Sequence, residues 1–206
     1  MKDDKIKPET WHTATQMVRG GTFRSDFEET SEAIMATSGY VYGSAEQAEQ
    51  AFKGELDRYI YSRYANPTVA MFEKRMALLE GAKYGMAFGS GMAAMFASLG
   101  ALVKAGDRVV ASLALFGSCL YVIQDLLPRY GVTPVLVDGT DLDQWEKALS
   151  EPAAAVFLET PSNPCLDIID VPAVAELAHK AGARLIVDNV FATPVLQKPL
   201  TLGADI

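Results

Sequence analysis

The run AFGSGMAA at residues 87–94 places two glycines and a serine ahead of a helix-forming stretch, MAAMFASLGALV. Backbone N–H groups in the first turn of a helix have no intrahelical acceptor, and the helix dipole adds partial positive charge there, so such a start can hold a phosphate. Gly89 and Gly91 would let an anion approach the backbone closely, although glycines in this spacing also suit a plain tight turn. Two acids close apolar runs elsewhere: RLIVDN places Asp188 where a strand emerges, and VFLETPSNP places Glu159, Ser162 and Asn163 at another such end. A carboxylate at Asp188 can keep a nitrogen heterocycle protonated and electron-withdrawing, as a pyridoxal phosphate cofactor requires. Asp and Asn at strand ends also serve as caps and turns.

A second reading competes for the glycines. GSGMAA fits G-x-G-x-x-A, the dinucleotide-binding fingerprint, which needs an acid at the far end of the following strand to hold a ribose. The acid at about the right distance, Asp107, stands at the start of DRVVAS, and the far end offers Ala111 and Ser112. The nicotinamide reading therefore lacks its confirming residue.

These residues need a scaffold, and the chain supplies one. Its 206 residues are half hydrophobic, enough for one sizeable core. A net charge of -8 argues against a nucleic-acid partner, and no stretch approaches the length of a membrane span. The start, MKDDKIKPET, lacks the apolar centre of a secretory signal, so a cytoplasmic location is expected. Cys119 and Cys165 are too far apart for a zinc or thioredoxin motif and are expected to be buried free thiols. His12 and His179 do not suggest a metal either, and none is expected.

Residues 1–66 are irregular, polar and aromatic, and read as an extended arm. Residues 67–206 then alternate. Asn66 and Pro67 start a helix carrying Val69, Phe72, Met76 and Leu79 at helical spacing, and Gly81 stops it. YGMAF at 84–88 is expected as a strand, followed by a helix over 92–104. DRVVAS, TPVLVD, AAAVFLE and RLIVDNV follow as strands, separated by helices over 117–130, 141–150 and 171–181. Apolar strands alternating with helices imply an α/β fold with a mainly parallel sheet flanked by helices.

Four stretches in this order, YSRYANPT at 61–68, SGMAA at 90–94, ETPSNP at 159–164 and VDNVFATP at 187–194, resemble the signatures of the Cys/Met-metabolism pyridoxal phosphate enzymes. The similarity runs from about residue 12 onward. It implies a fold-type I, aminotransferase-like domain with an N-terminal arm, using pyridoxal 5'-phosphate. By the resemblance, Ser90, Gly91 and Met92 hold the cofactor phosphate and Asp188 partners the pyridinium nitrogen. Asn163 lies near the phenolic oxygen or the substrate carboxylate. Tyr61 and Arg63 reach the phosphate of a neighbouring subunit, so the arm completes a partner's site and the protein is a homo-oligomer, a tetramer by analogy. An arginine suits this task because its planar fork binds phosphate through parallel hydrogen bonds.

Two departures from the family pattern follow. Where most members carry a tyrosine stacked on the cofactor ring, ALFGSC places Phe116, which can stack but cannot transfer a proton. This resembles the O-succinylhomoserine sulfhydrylase branch most. The expected reaction is γ-replacement on O-succinylhomoserine by sulfide, giving homocysteine in methionine biosynthesis. Cystathionine γ-synthase, O-acetylhomoserine sulfhydrylase and γ-lyase activities are the alternatives. The family's Schiff-base lysine follows a Gly-Ala-Asp like residues 203–205, in a Ser-x-Thr-Lys segment. No lysine within residues 1–206 has that context, and Lys198 in QKPLT reads as a surface residue. The expectation is that the polypeptide continues past Ile206 into a C-terminal part, or is a non-catalytic fragment.

Overall fold

The computed structural model describes residues 7–206, so the first six residues of the expected arm lie outside the described residues. The chain divides into two compact units, Met1–Ala87 and Phe88–Ile206.

In the first unit a 3-10 turn at Pro8–Thr10 precedes three helices, α1 (Thr13–Arg19), α2 (Ala45–Phe52) and α3 (Pro67–Glu80). The signals for α3 act as read: Asn66 Oδ1 accepts from the Thr68 N–H at 2.9 Å, and Gly81 closes the helix at φ 73. The chain before it is strapped along the helix. Asn66 Nδ2 donates to Met35 O at 2.9 Å, and Arg75 Nε donates to Gly20 O at 2.8 Å while its guanidinium pairs with Glu32. Gly21 sits at φ 70, and a Cβ there would lie 2.9 Å from the Arg75 backbone nitrogen, so no side chain fits. Met71 and Leu79 are buried, whereas Val69 and Phe72 are 42% and 55% exposed, so the apolar stripe is only partly covered.

The expected strand at 84–88 does not form. The Ala87 N–H donates to Glu73 Oε1 at 2.8 Å instead of to a ladder, and Tyr84 and Met86 are exposed.

The second unit is a four-stranded parallel sheet with the order β2-β1-β3-β4. Its strands are β1 (Arg108–Ser112), β2 (Thr133–Val137), β3 (Ala155–Glu159) and β4 (Arg184–Asp188). The helices around it are α4 (Gly91–Gly100), α5 (Gly117–Tyr121), α6 (Leu142–Ala148), α7 (Val171–Lys180) and α8 (Thr193–Leu196). α5 runs on through a π turn, Val122–Leu126, and a 3-10 turn, Leu127–Tyr130, so the helix expected over 117–130 changes pitch twice.

Side chains alternate across a strand, and the two faces of this sheet build separate cores. Val110, Val156, Leu158 and Leu185 pack with Trp145, Leu149 and Val174 on the α6/α7 face. Val109, Ala111, Phe157 and Ile186 pack with Met95, Leu99, Cys119 and Ile123 on the α4/α5 face. Burying each large apolar side chain stabilises the fold by about 1.5–3 kcal/mol. Trp145 is wholly buried, and its Nε1–H donates to Gly139 O at 3.0 Å.

The rim at the strands' amino ends carries ion pairs. Lys104 Nζ lies 3.0 Å from Asp107 Oδ1, Arg184 NH1 lies 2.7 Å from Asp205 Oδ1, and His179 Nε2 lies 2.9 Å from Asp205 Oδ2. Asp205 and Ile206 run along the free edge of β4, with Asp205 N–H donating to Leu185 O at 2.9 Å and Val187 N–H to Ile206 O at 2.9 Å.

Candidate functional site

The strand order fixes where a ligand can sit. β1 leads through residues 113–116 into α5 on one face of the sheet, while its neighbour β3 leads through 160–170 into α7 on the other. Loops diverging from adjacent parallel strands leave a crevice at the carboxyl ends, the usual ligand position in such sheets. Phe116 closes the first loop, and Glu159 with Asn163 opens the second.

Register and alternation then gather the rest. Glu159 and Asp188 end β3 and β4 as directly paired residues. Each lies two positions beyond a residue of the α4/α5 core, Phe157 and Ile186, so both side chains belong to that face. Asp188 is half-buried, and its Oδ1 accepts from the Val190 N–H at 3.1 Å, leaving Oδ2 to accept from a ligand. The same face carries the amino end of α4. There Ser90 Oγ takes the Ala93 N–H at 3.2 Å and Ser90 O takes the Ala94 N–H at 3.1 Å. The Gly91 and Met92 N–H groups have no hydrogen-bond partner among the described residues, as expected for the first amides of a helix. A Cβ added at Gly89 or Gly91 would meet nothing within 4 Å, so the approach is open.

Below this opening the site is closed to solvent. Glu159 is 1% exposed, and its Oε2 accepts from the Phe116 N–H at 2.7 Å. Its Oε1 is buried with no hydrogen-bond partner among the described residues. Burial pushes the Glu159 carboxyl above the ordinary 4.5 against the pull of the Phe116 amide, and the nearby Asp188 charge raises it further. The Asn163 backbone N–H favours the charged form without reaching hydrogen-bond geometry. Cys119 Sγ lies 3.8 Å from Met92 Sδ, and burial, then Asp188 and Glu159, push its thiol up to about 11. Cys165 is exposed, which corrects the expectation that both thiols are buried.

The structure thus brings Ser90, Gly91, Met92, Phe116, Asn163 and Asp188 into one unit at the same end of one sheet. Phe116 is 43% exposed, its ring free to cover a flat ligand while its amide is held. Tyr61 and Arg63 belong to the other unit, where the Arg63 guanidinium lies 4.4 Å from the Tyr64 ring centroid and 5.6 Å from that of Tyr61. Asp107 is tied to Lys104 at the opposite rim, out of reach of a ribose at the glycine loop. The sequence alone gave Glu159 no role. The signal for one was the matching ends FLE and IVD, which parallel pairing sets side by side.

The residues fit pyridoxal phosphate: open helix amides for an anion, an acid with a spare oxygen for a protonated ring nitrogen, and an aromatic face beside them.

A family profile described as Cys/Met metabolism PLP-dependent enzyme matches residues 14–206. The chain is 59% identical over 206 residues to an O-succinylhomoserine sulfhydrylase of Mycobacterium tuberculosis, covering all of this chain and 51% of the relative. It is 43% identical over 192 residues to a protein of the same name from Pseudomonas aeruginosa, covering 93% and 48%. An L-methionine gamma-lyase of Porphyromonas gingivalis is 39% identical over 194 residues, covering 94% and 49%. The chain therefore spans about half the length of the curated relatives it matches. Among solved structures, metB from Corynebacterium glutamicum superposes with a TM-score of 0.88 at 34% identity, covering 97% of this chain and 50% of that one. A Campylobacter jejuni structure, metY, matches with a TM-score of 0.88 at 32% identity, covering 95% and 48%, and carries N'-pyridoxyl-lysine-5'-monophosphate.

Proposed function

The chain belongs to the Cys/Met metabolism PLP-dependent enzyme family, and we propose that its protein performs γ-replacement on O-succinylhomoserine with sulfide, releasing succinate and giving homocysteine. The observation that carries the cofactor assignment is the convergence of Asp188, Phe116 and the free Gly91 and Met92 amides at the strands' carboxyl ends. The 59% identity to an O-succinylhomoserine sulfhydrylase along the whole chain favours this substrate over the family's others.

When bound, pyridoxal phosphate supplies the electron sink that makes a carbon acid of the amino-acid substrate. The Gly91 and Met92 N–H groups would bind its phosphate, strengthened by the α4 dipole. Asp188 Oδ2 would accept from the ring N–H and hold that proton in place. Phe116 would cover one ring face and exclude water, and it leaves proton transfer to other groups. Asn163 would orient the phenolic oxygen or the substrate carboxylate through its side-chain amide. The arm, residues 1–66, would carry Tyr61 and Arg63 to the phosphate of a neighbouring subunit. A homotetramer in the cytoplasm, acting on small molecules, completes this reading. Among the described residues no helix is long and apolar enough to cross a membrane.

The test is homocysteine formation by the intact protein from O-succinylhomoserine and sulfide, with O-acetylhomoserine, cysteine and methionine as competitors. Turnover should be highest with O-succinylhomoserine and sulfide. Keto-acid release from methionine without added thiol would instead make it a lyase. Asp188→Asn exchanges a charge-assisted hydrogen bond for a neutral one, a loss of about 1–1.5 kcal/mol that weakens cofactor retention about five- to tenfold. Retention of pyridoxal phosphate at wild-type affinity would remove Asp188 from this role.

A further inference from the structure

The buried carboxyl of Glu159 is a group the proposed chemistry leaves unused, yet it touches two parts of the site. Its Oε2 holds the backbone amide of Phe116, the residue before α5, at 2.7 Å. Its paired neighbour across the sheet is Asp188. Only 1% of Glu159 is exposed, so it cannot itself contact a ligand in the crevice. The ring of Phe116, by contrast, stays accessible while its amide is pinned.

We propose that Glu159 is a positioning residue of the cofactor site: one buried carboxyl fixes the loop that presents Phe116 and flanks Asp188, so that ring face and ring nitrogen share one support.

This inference rests on the cofactor reading above. The groups that face Glu159 are the Phe116 backbone amide in the loop after β1, the Asn163 backbone amide in the loop after β3, Asp188 on β4 and the Cys119 thiol on α5. Burial and Asp188 favour the protonated form, which lets the two acids lie side by side without like-charge repulsion. A glutamine has the same length and still offers an oxygen to the Phe116 amide. Alanine offers none, and aspartate withdraws its oxygens by one methylene.

The experiment uses the intact protein as wild type, Glu159→Gln, Glu159→Ala and Glu159→Asp. Amide hydrogen exchange over residues 113–118 is measured without cofactor, and the visible circular dichroism of added pyridoxal phosphate is recorded with it. Glu159→Ala and Glu159→Asp should speed exchange of the Phe116 amide about tenfold or more and cut the dichroic band by more than half, while Glu159→Gln keeps both near wild type. Should Glu159→Ala not fold, Glu159→Asp decides the question. Wild-type exchange in the folded Ala or Asp variants, a glutamine variant as impaired as alanine, or faster exchange with an unchanged band would each overturn the proposal. A wild type that binds no pyridoxal phosphate would overturn the cofactor reading, and the exchange data would still report whether Glu159 holds the loop.

Discussion

Asp188 and Glu159 end neighbouring strands in register, yet their surroundings separate their work. Asp188 is half open to the crevice, whereas Glu159 is enclosed and held toward its neutral form by burial and by Asp188. The raised carboxyl means that the folded state holds a proton the unfolded chain releases. Its contribution to stability is full below the ordinary value of 4.5 and is lost as pH rises above it. Glu159→Gln cannot ionise, so its denaturation midpoint should gain on wild type as pH is raised from 5 toward 8. A pH-independent gap between the two proteins would show that the carboxyl is not held neutral. Asp188 was legible as a strand-end acid, and Gly91 and Met92 as helix-start amides. Glu159 was visible at its strand end, but its contact with Phe116 joins residues 43 apart and depends on how two loops diverge from the sheet.

α3 shows why helices were the most readable elements. Its cap, its first-position proline and its closing glycine are local signals, and each acts on its own neighbours in the structure. Asn66 also holds Met35 O across the strap, so Asn66→Ala removes a cap and one of two hydrogen bonds to that carbonyl, which keeps the Thr37 N–H at 2.9 Å. A loss of about 1–2 kcal/mol is expected, read as a lower urea midpoint of the intact protein. A change below about 0.5 kcal/mol would mean that water replaces both contacts. The segment at 84–88 was the failure at this scale. Its alternating apolar residues carry a strand's pattern, but a strand needs a partner, and a glutamate side chain takes the amide at Ala87 instead. The helix over 117–130 was found as one piece, while its passage through π and 3-10 turns left no mark in the periodicity.

At the scale of the molecule, the sequence carried the α/β alternation and the parallel sheet of residues 88–206, because near-continuous apolar strands have few other solutions. The strand order was not legible, since it depends on pairings between distant segments. Within this unit the sheet's two rims differ in kind: hydrogen-bonding groups without internal partners gather at the carboxyl ends, and ion pairs gather at the amino ends. Asp205 is the centre of the second group. Burial raises its carboxyl, but the Leu185 amide, His179 and Arg184 outweigh burial and hold it below the ordinary 3.8. Its stabilising effect is therefore present above that value and lost as pH falls below it. Asp205→Asn should cost about 1–2 kcal/mol at pH 7, a modest figure because Arg184 is largely exposed, and the difference from wild type should vanish under acid. An equal deficit at both pH values in a urea titration would assign the loss to packing.

The separation of rims also bears on how this unit can be handled. Lys104, with a side chain 83% exposed, stands with the ion pairs at the end of the sheet away from the crevice. A linker attached at Lys104 would fix the unit to a bead or sensor chip with the crevice directed outward into the flowing solution.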